Sequence, residues 1–144
     1  MSLALTSSLL GLLGSIVVAA FTYWFTKRRE REAEWRKEKL VYYKAFIESM
    51  SGIVEGDATP DGHRYFAKTT NNLLLFAPQA VIEALNAFRS EISVANSNRS
   101  RAMHDKLFGE LLLAIRRDIG VRPTDNFATF KPILWTSGVG KGGI

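Results

Sequence analysis

Residues 3–31 read LALTSSLLGLLGSIVVAAFTYWFTKRRER, and this stretch decides the architecture of the chain. No ionisable side chain occurs across residues 2–26 apart from the phenol of Tyr23, and Leu, Val, Ile, Ala and Phe dominate. Roughly 20 such residues cross the hydrocarbon core of a bilayer. Backbone groups in lipid must pair internally, so the segment is expected to be a helix. Phe21, Tyr23, Trp24 and Phe25 cluster at its C-terminal end, and Lys27, Arg28, Arg29 and Arg31 follow at once. Amphipathic rings favour the headgroup level and basic residues stay cytoplasmic. The expectation is an inner-membrane, single-pass protein with its N-terminus outside and its C-terminus in the cytoplasm. Tyr23, Trp24, Lys27, Arg28 and Arg29 would mark the interface. A cleaved signal peptide is the rival reading, since Ala19 and Ala20 are small. Such a peptide carries its basic region before the apolar run, however, and here the charge lies after it.

Within the span, Ser7, Gly11, Ser15 and Ala19 recur every fourth residue, and Gly14 and Thr22 broaden the stripe. Small side chains let helices approach closely, which would make this face the contact of a homo-oligomer. Gly and Ser are also tolerated in spans without any partner. No charge lies inside the span to act as an ion relay. A pore here would be lined by Ser, Thr and Gly or gated by dewetting.

Outside the span, residues 27–39 (KRREREAEWRKEK) form a charged helical stalk with Arg28/Glu32 and Glu32/Arg36 spaced for ion pairs. No Gly or Pro interrupts the run before Gly52, so anchor, stalk and first core helix are expected to be continuous. An apolar stripe follows at Tyr42, Tyr43, Phe46, Met50, Ile53 and Val54. Residues 55–62 (EGDATPDG) read as a loop. A second helix is expected over about 63–77, burying Phe66, Leu73, Leu74 and Phe76. Pro78 would open a third in its first turn, with Val81, Leu85, Phe88 and Ile92 on one face beside Ile82. A fourth would run over about 101–119, burying Met103, Leu107, Leu111, Ala114 and Ile115, with Phe108 and Leu112 alongside. Arg116, Arg117 and Gly120 suit its C-terminus. The whole is an all-α chain: an anchor at 1–26, a stalk at 27–39, an antiparallel helical bundle at 40–120 and an irregular tail at 121–144. Phe127, Phe130, Ile133, Leu134 and Trp135 would lie on the bundle or on a neighbouring subunit, and residues 137–144 would be disordered.

With 144 residues and no cysteine, the chain excludes disulfides, thiolate metal sites and thiol nucleophiles. Its net charge of +5 suits an anionic membrane or a nucleic acid. His63 and His104, with Asp61 or Asp105, lack a convincing metal-ligand spacing, so no metal or cofactor is expected. No serine sits in a nucleophile elbow, and the terminal GVGKGG (138–143) lacks the strand and helix of a phosphate loop. No small-molecule substrate is evident.

The sequence Arg99-Ser-Arg-Ala-Met-His104 resembles the RxxxxH signature of HEPN ribonucleases, helical-bundle enzymes that cleave RNA without metal across a dimer. That resemblance implies proton transfer by His104 and phosphate stabilisation by Arg99. The residue after the arginine, commonly Asn, Asp or His in that family, is Ser100 here. The order of span, basic stalk and helical domain over residues 3–119 also resembles the membrane-anchored accessory protein of type VI-B CRISPR systems. In that family an N-terminal membrane helix and a degenerate HEPN-like domain assemble into ring-shaped pores in antiviral defence. The leading expectation is therefore a non-enzymatic, self-associating membrane protein, triggered by a cytoplasmic protein or RNA and acting through its span. A membrane-tethered RNase and a holin-like phage membrane protein are the alternatives.

Overall fold

The computed structural model describes residues 3–54 and 56–134, and among them every regular element is helical. They are α1 (Leu3–Met50), α2 (Pro60–Phe76), α3 (Gln79–Ile92) and α4 (Arg101–Asp118), with a 3-10 turn at Ser51–Ile53. The all-α fold expected from periodicity is the fold observed. The chain divides into two units, Met1–Glu38 and Lys39–Ile144.

The described residues of the first unit are all helical. Its side chains from Ser7 to Glu38 are exposed, the apolar ones included: Leu10 is 70% and Val18 65% accessible.

The second unit is a small bundle. Residues 39–50 of α1 bring Tyr43, Phe46 and Met50 to a core shared with Leu73 of α2, Val81, Leu85 and Phe88 of α3, and Phe108, Leu111 and Ile115 of α4. Each such side chain contributes roughly 1.5–3 kcal/mol by leaving water. Contacts give the directions: Tyr43 meets Phe76 while Ser49 meets Thr69, so α1 and α2 run antiparallel. Phe88 lies against both His104 and Phe108, and the Glu91 carboxylate accepts from Ser100 N, so α3 and α4 form an αα-hairpin.

Helix boundaries follow local chemistry. α2 starts three residues earlier than periodicity suggests, because Thr59 is an N-cap whose hydroxyl accepts from Gly62 N at 3.0 Å, with Pro60 in the first turn. Pro78 is the N-cap residue of α3 rather than part of its first turn; its carbonyl accepts from Val81 N and Ile82 N. Ser100 caps α4 by accepting from Met103 N. At the other end Gly120 takes φ 71°, Gly120 N bonds to Arg117 O and Val121 N to Arg116 O, the paired bonds of a Schellman cap.

Burial departs from expectation in two helices. In α2, Leu74 is 47% exposed while Thr69 and Thr70 are buried. The Thr69 hydroxyl is satisfied by Ser49 Oγ and by the carbonyls of Tyr65 and Phe66. Thr70 Oγ1 is buried without a hydrogen-bond partner among the described residues. A buried hydroxyl with no partner costs about 1–3 kcal/mol. Thr70→Val, which keeps the shape, is therefore expected to raise stability by about 1 kcal/mol, read as a higher melting temperature; a fall would mean that the hydroxyl is paired in solution.

In α4 the expected face is displaced. Met103 is exposed, and the buried set is Phe108, Gly109, Leu111, Leu113 and Ile115. A second surface of this helix is covered by the following segment. Pro132 lies over Gly109, Leu134 packs on the core, and Arg116 holds Asp125 through two hydrogen bonds while its guanidinium sits over the Phe130 ring. Phe127 and Ile133 remain exposed, so only part of that apolar segment lies on the bundle. Trp135 and residues 137–144 lie outside the described residues.

Candidate membrane span and candidate catalytic pair

α1 is the one helix among the described residues long and apolar enough to cross a membrane, and none of those residues buries its apolar window. Gly11 and Gly14 face open space: a Cβ built on either would meet nothing within 4 Å. Ser15 returns its hydroxyl to Leu12 O and Thr22 to Val18 O, so both present little polarity outward. Ser7, Gly11, Gly14 and Ser15 fall on one side of the helix at intervals of three and four, with Ala19 drifting off its edge.

At the aromatic end, Trp24 and Phe25 meet edge-on at 5.0 Å, and the Arg28 guanidinium lies 5.6 Å over the Trp24 ring. Lys27 pairs with Glu30 at 2.7 Å and Arg28 with Glu32 at 3.0 Å. Exposed pairs of this kind contribute at most about 1 kcal/mol, so their effect is to take up two of the cations. Arg29 has no carboxylate partner among the described residues. Tyr23 is exposed.

Arg99 and His104 are held by different partners. Arg99 precedes the Ser100 cap, and its Nε donates to the carbonyls of Ser93 and Asn96, holding the connector between α3 and α4. His104 sits in the first turn of α4, its Nδ1 3.0 Å from Asp105 Oδ1 and its ring against Phe88 and Phe108. No hydrogen bond joins the two side chains among the described residues. Among the same residues no three His, Asp or Glu side chains converge as a metal site would need.

No protein family, curated protein or solved structure matches this chain.

Two clusters escaped the reading of the sequence. Glu91 organises the α3–α4 connector, accepting from Ser100 N and Asn96 Nδ2. Asp118, at the end of α4, accepts from Lys39 Nζ at 2.8 and 3.0 Å and from the Tyr43 hydroxyl at 2.7 Å. Burial pushes the Tyr43 phenol well above the ordinary tyrosine value, helped by its hydrogen bond to Asp118 and by that carboxylate's charge. Partners 75 and 79 residues apart leave no periodic trace in a sequence. The Arg116 hydrogen bond holds the Asp125 carboxyl below the usual carboxylate range, a surface tie between α4 and the segment that follows it.

Proposed function

We propose that this chain is a single-pass inner-membrane protein, N-terminus outside, that presents a helical bundle to the cytoplasm and self-associates through its span. The observation that carries the reading is the uncovered apolar length of α1, followed directly by aromatic and basic residues. Ser7, Gly11, Gly14, Ser15 and Ala19 supply the close-approach face, where backbone contact replaces side-chain bulk. The span is then the working part, perturbing the bilayer as an oligomer, and the bundle receives a cytoplasmic protein or RNA signal. The resemblance to the type VI-B accessory family supports an antiviral setting. Catalysis by Arg99 and His104 is not part of this reading, since Arg99 is taken up by connector carbonyls and His104 by aromatic packing.

Topology is the decisive test, and the absence of cysteine makes it clean. A membrane-impermeant maleimide is expected to label Ser2→Cys in intact spheroplasts and to label Ser90→Cys, exposed on α3, only after lysis. The reverse pattern overturns the orientation, and labelling of both overturns the anchor.

A further inference from the structure

The segment that follows α4 is held to the bundle by side chains alone. Among the described residues no backbone hydrogen bond joins residues 122–134 to a helix. Their hydrogen bonds are those of the turn that Asn126 makes with Ala128, Thr129 and Phe130, and the two that Asp125 accepts from Arg116. Arg116 is used twice, since the guanidinium that holds Asp125 also lies 5.4 Å over the Phe130 ring. That ion pair is open to water on the arginine side, which is 36% exposed, and solvent limits what such a pair contributes. Phe130, Pro132 and Leu134, which make the remaining contacts, are only partly buried, and Phe127, Lys131 and Ile133 are exposed. Little therefore offsets the chain entropy lost in ordering this segment.

α4 does not rely on the segment for its own integrity. The carbonyls of Arg116 and Arg117 are taken by Val121 N and Gly120 N, and Phe108, Leu111 and Ile115 sit in a core to which all four helices contribute. Leu113 differs from these three. It is 2% exposed yet stands outside that core cluster, four residues after Gly109 and three before Arg116, on the side of α4 that the segment covers. Regions with few buried contacts and no hydrogen-bond ladder to the rest open at lower cost than the whole domain. We propose that residues 122–134 form a releasable strap, latched by Arg116, which opens from α4 while the helical core stays folded. Release gives the bundle a second state in which Gly109, Leu113 and the Arg116 guanidinium are uncovered together. A signal that favours one state over the other can then be received without unfolding the bundle. The strap stands on contacts within the bundle and does not depend on where α1 resides.

The test is thiol labelling of the full-length chain in detergent, with single cysteines placed in a sequence that has none. Leu113→Cys reports the strap, and Gly109→Cys beneath Pro132 is a second reporter should the first fail to fold. Val81→Cys, in the core, reports opening of the bundle. Reaction with dithionitrobenzoate is followed against urea below the unfolding transition. The strap reporter is expected to react at least about tenfold faster than its own global stability allows, at a rate almost flat in urea, because strap opening exposes little surface. The core reporter should accelerate steeply. Arg116→Gln should speed the strap reporter about fivefold with the slope unchanged, and Arg89→Gln, which removes an exposed cation from α3, should leave it alone. Strap and core reporters with the same steep urea dependence overturn separate opening. An Arg116→Gln chain labelled no faster than its parent overturns the latch.

Discussion

Gly62→Ala is expected to destabilise the full-length chain by about 2–3 kcal/mol, lowering its melting temperature in detergent by about 10–20 °C. The turn after α1 and the first turn of α2 touch backbone to backbone. A Cβ on Gly62 would overlap the carbonyl oxygen of Gly52 and lie 2.7 Å from its Cα, and a Cβ on Gly52 would lie 2.6 Å from Gly62 Cα. No flexible side chain is there to yield, so the segments must part. Parting them strains the 3.2 Å bond from Thr59 N to Gly52 O and with it the cap of α2. Alanine's gain in helical preference offsets at most about 1 kcal/mol. Adding Gly52→Ala should cost much less than it does alone, because one separation relieves both clashes. Gly109→Ala is the control: its Cβ would meet Pro132 Cδ at an ordinary 3.5 Å, and the variant should melt at or slightly above the wild-type temperature. An unshifted melt for Gly62→Ala would mean that the two turns stand apart in solution.

The second large effect is expected at the carboxylate joining α1 to α4. Lys39 and Asp118 are 14% and 12% exposed, so Asp118→Ala removes the carboxylate that a largely shielded ammonium and phenol share. Removing one member of such a pair costs roughly 3 kcal/mol. A pH signature separates this cluster from ordinary packing. The Tyr43 phenol is raised in the folded chain, so the unfolded chain, with its ordinary value of 10.0, releases the proton more readily at high pH. The contribution is complete below pH 10 and is lost progressively as pH rises above it. The wild-type melting temperature should therefore fall on the alkaline side of pH 10 more steeply than that of Tyr43→Phe. Parallel curves for the two proteins would remove Tyr43 from the account.

What could be read in advance depended on whether a residue's partner was local or distant. Val81, Leu85 and Phe88 were legible because α3 buries a single face and its polar residues fill the other. The uncharged run of α1 was legible from composition, and the Gly120 cap from one residue type at one position. α4 was misread because it is covered on two sides: the bundle takes Phe108, Leu111 and Ile115, and the segment carrying Pro132 closes over Gly109. A single-stripe reading places Met103 in the core and overlooks Leu113. In α2, hydrophobicity favours Leu74 over Thr70, yet the helix is rotated so that Thr69 reaches Ser49 and Leu74 faces outward. The signature-like spacing of Arg99 and His104 was legible as well, but spacing carries no information about the Ser93 and Asn96 carbonyls that engage the arginine.

The Lys39–Asp118 tie also bears on how the protein is made. Its partners are 79 residues apart, so at ribosomal rates of about 5–20 residues per second roughly 4–16 s separate their synthesis. For most of that interval Tyr43, Phe46 and Met50 have been synthesised while α4, which completes their cover, has not. The bundle is thus a late-closing one: the apolar face of residues 43–50 is fully covered only once α4 has been made.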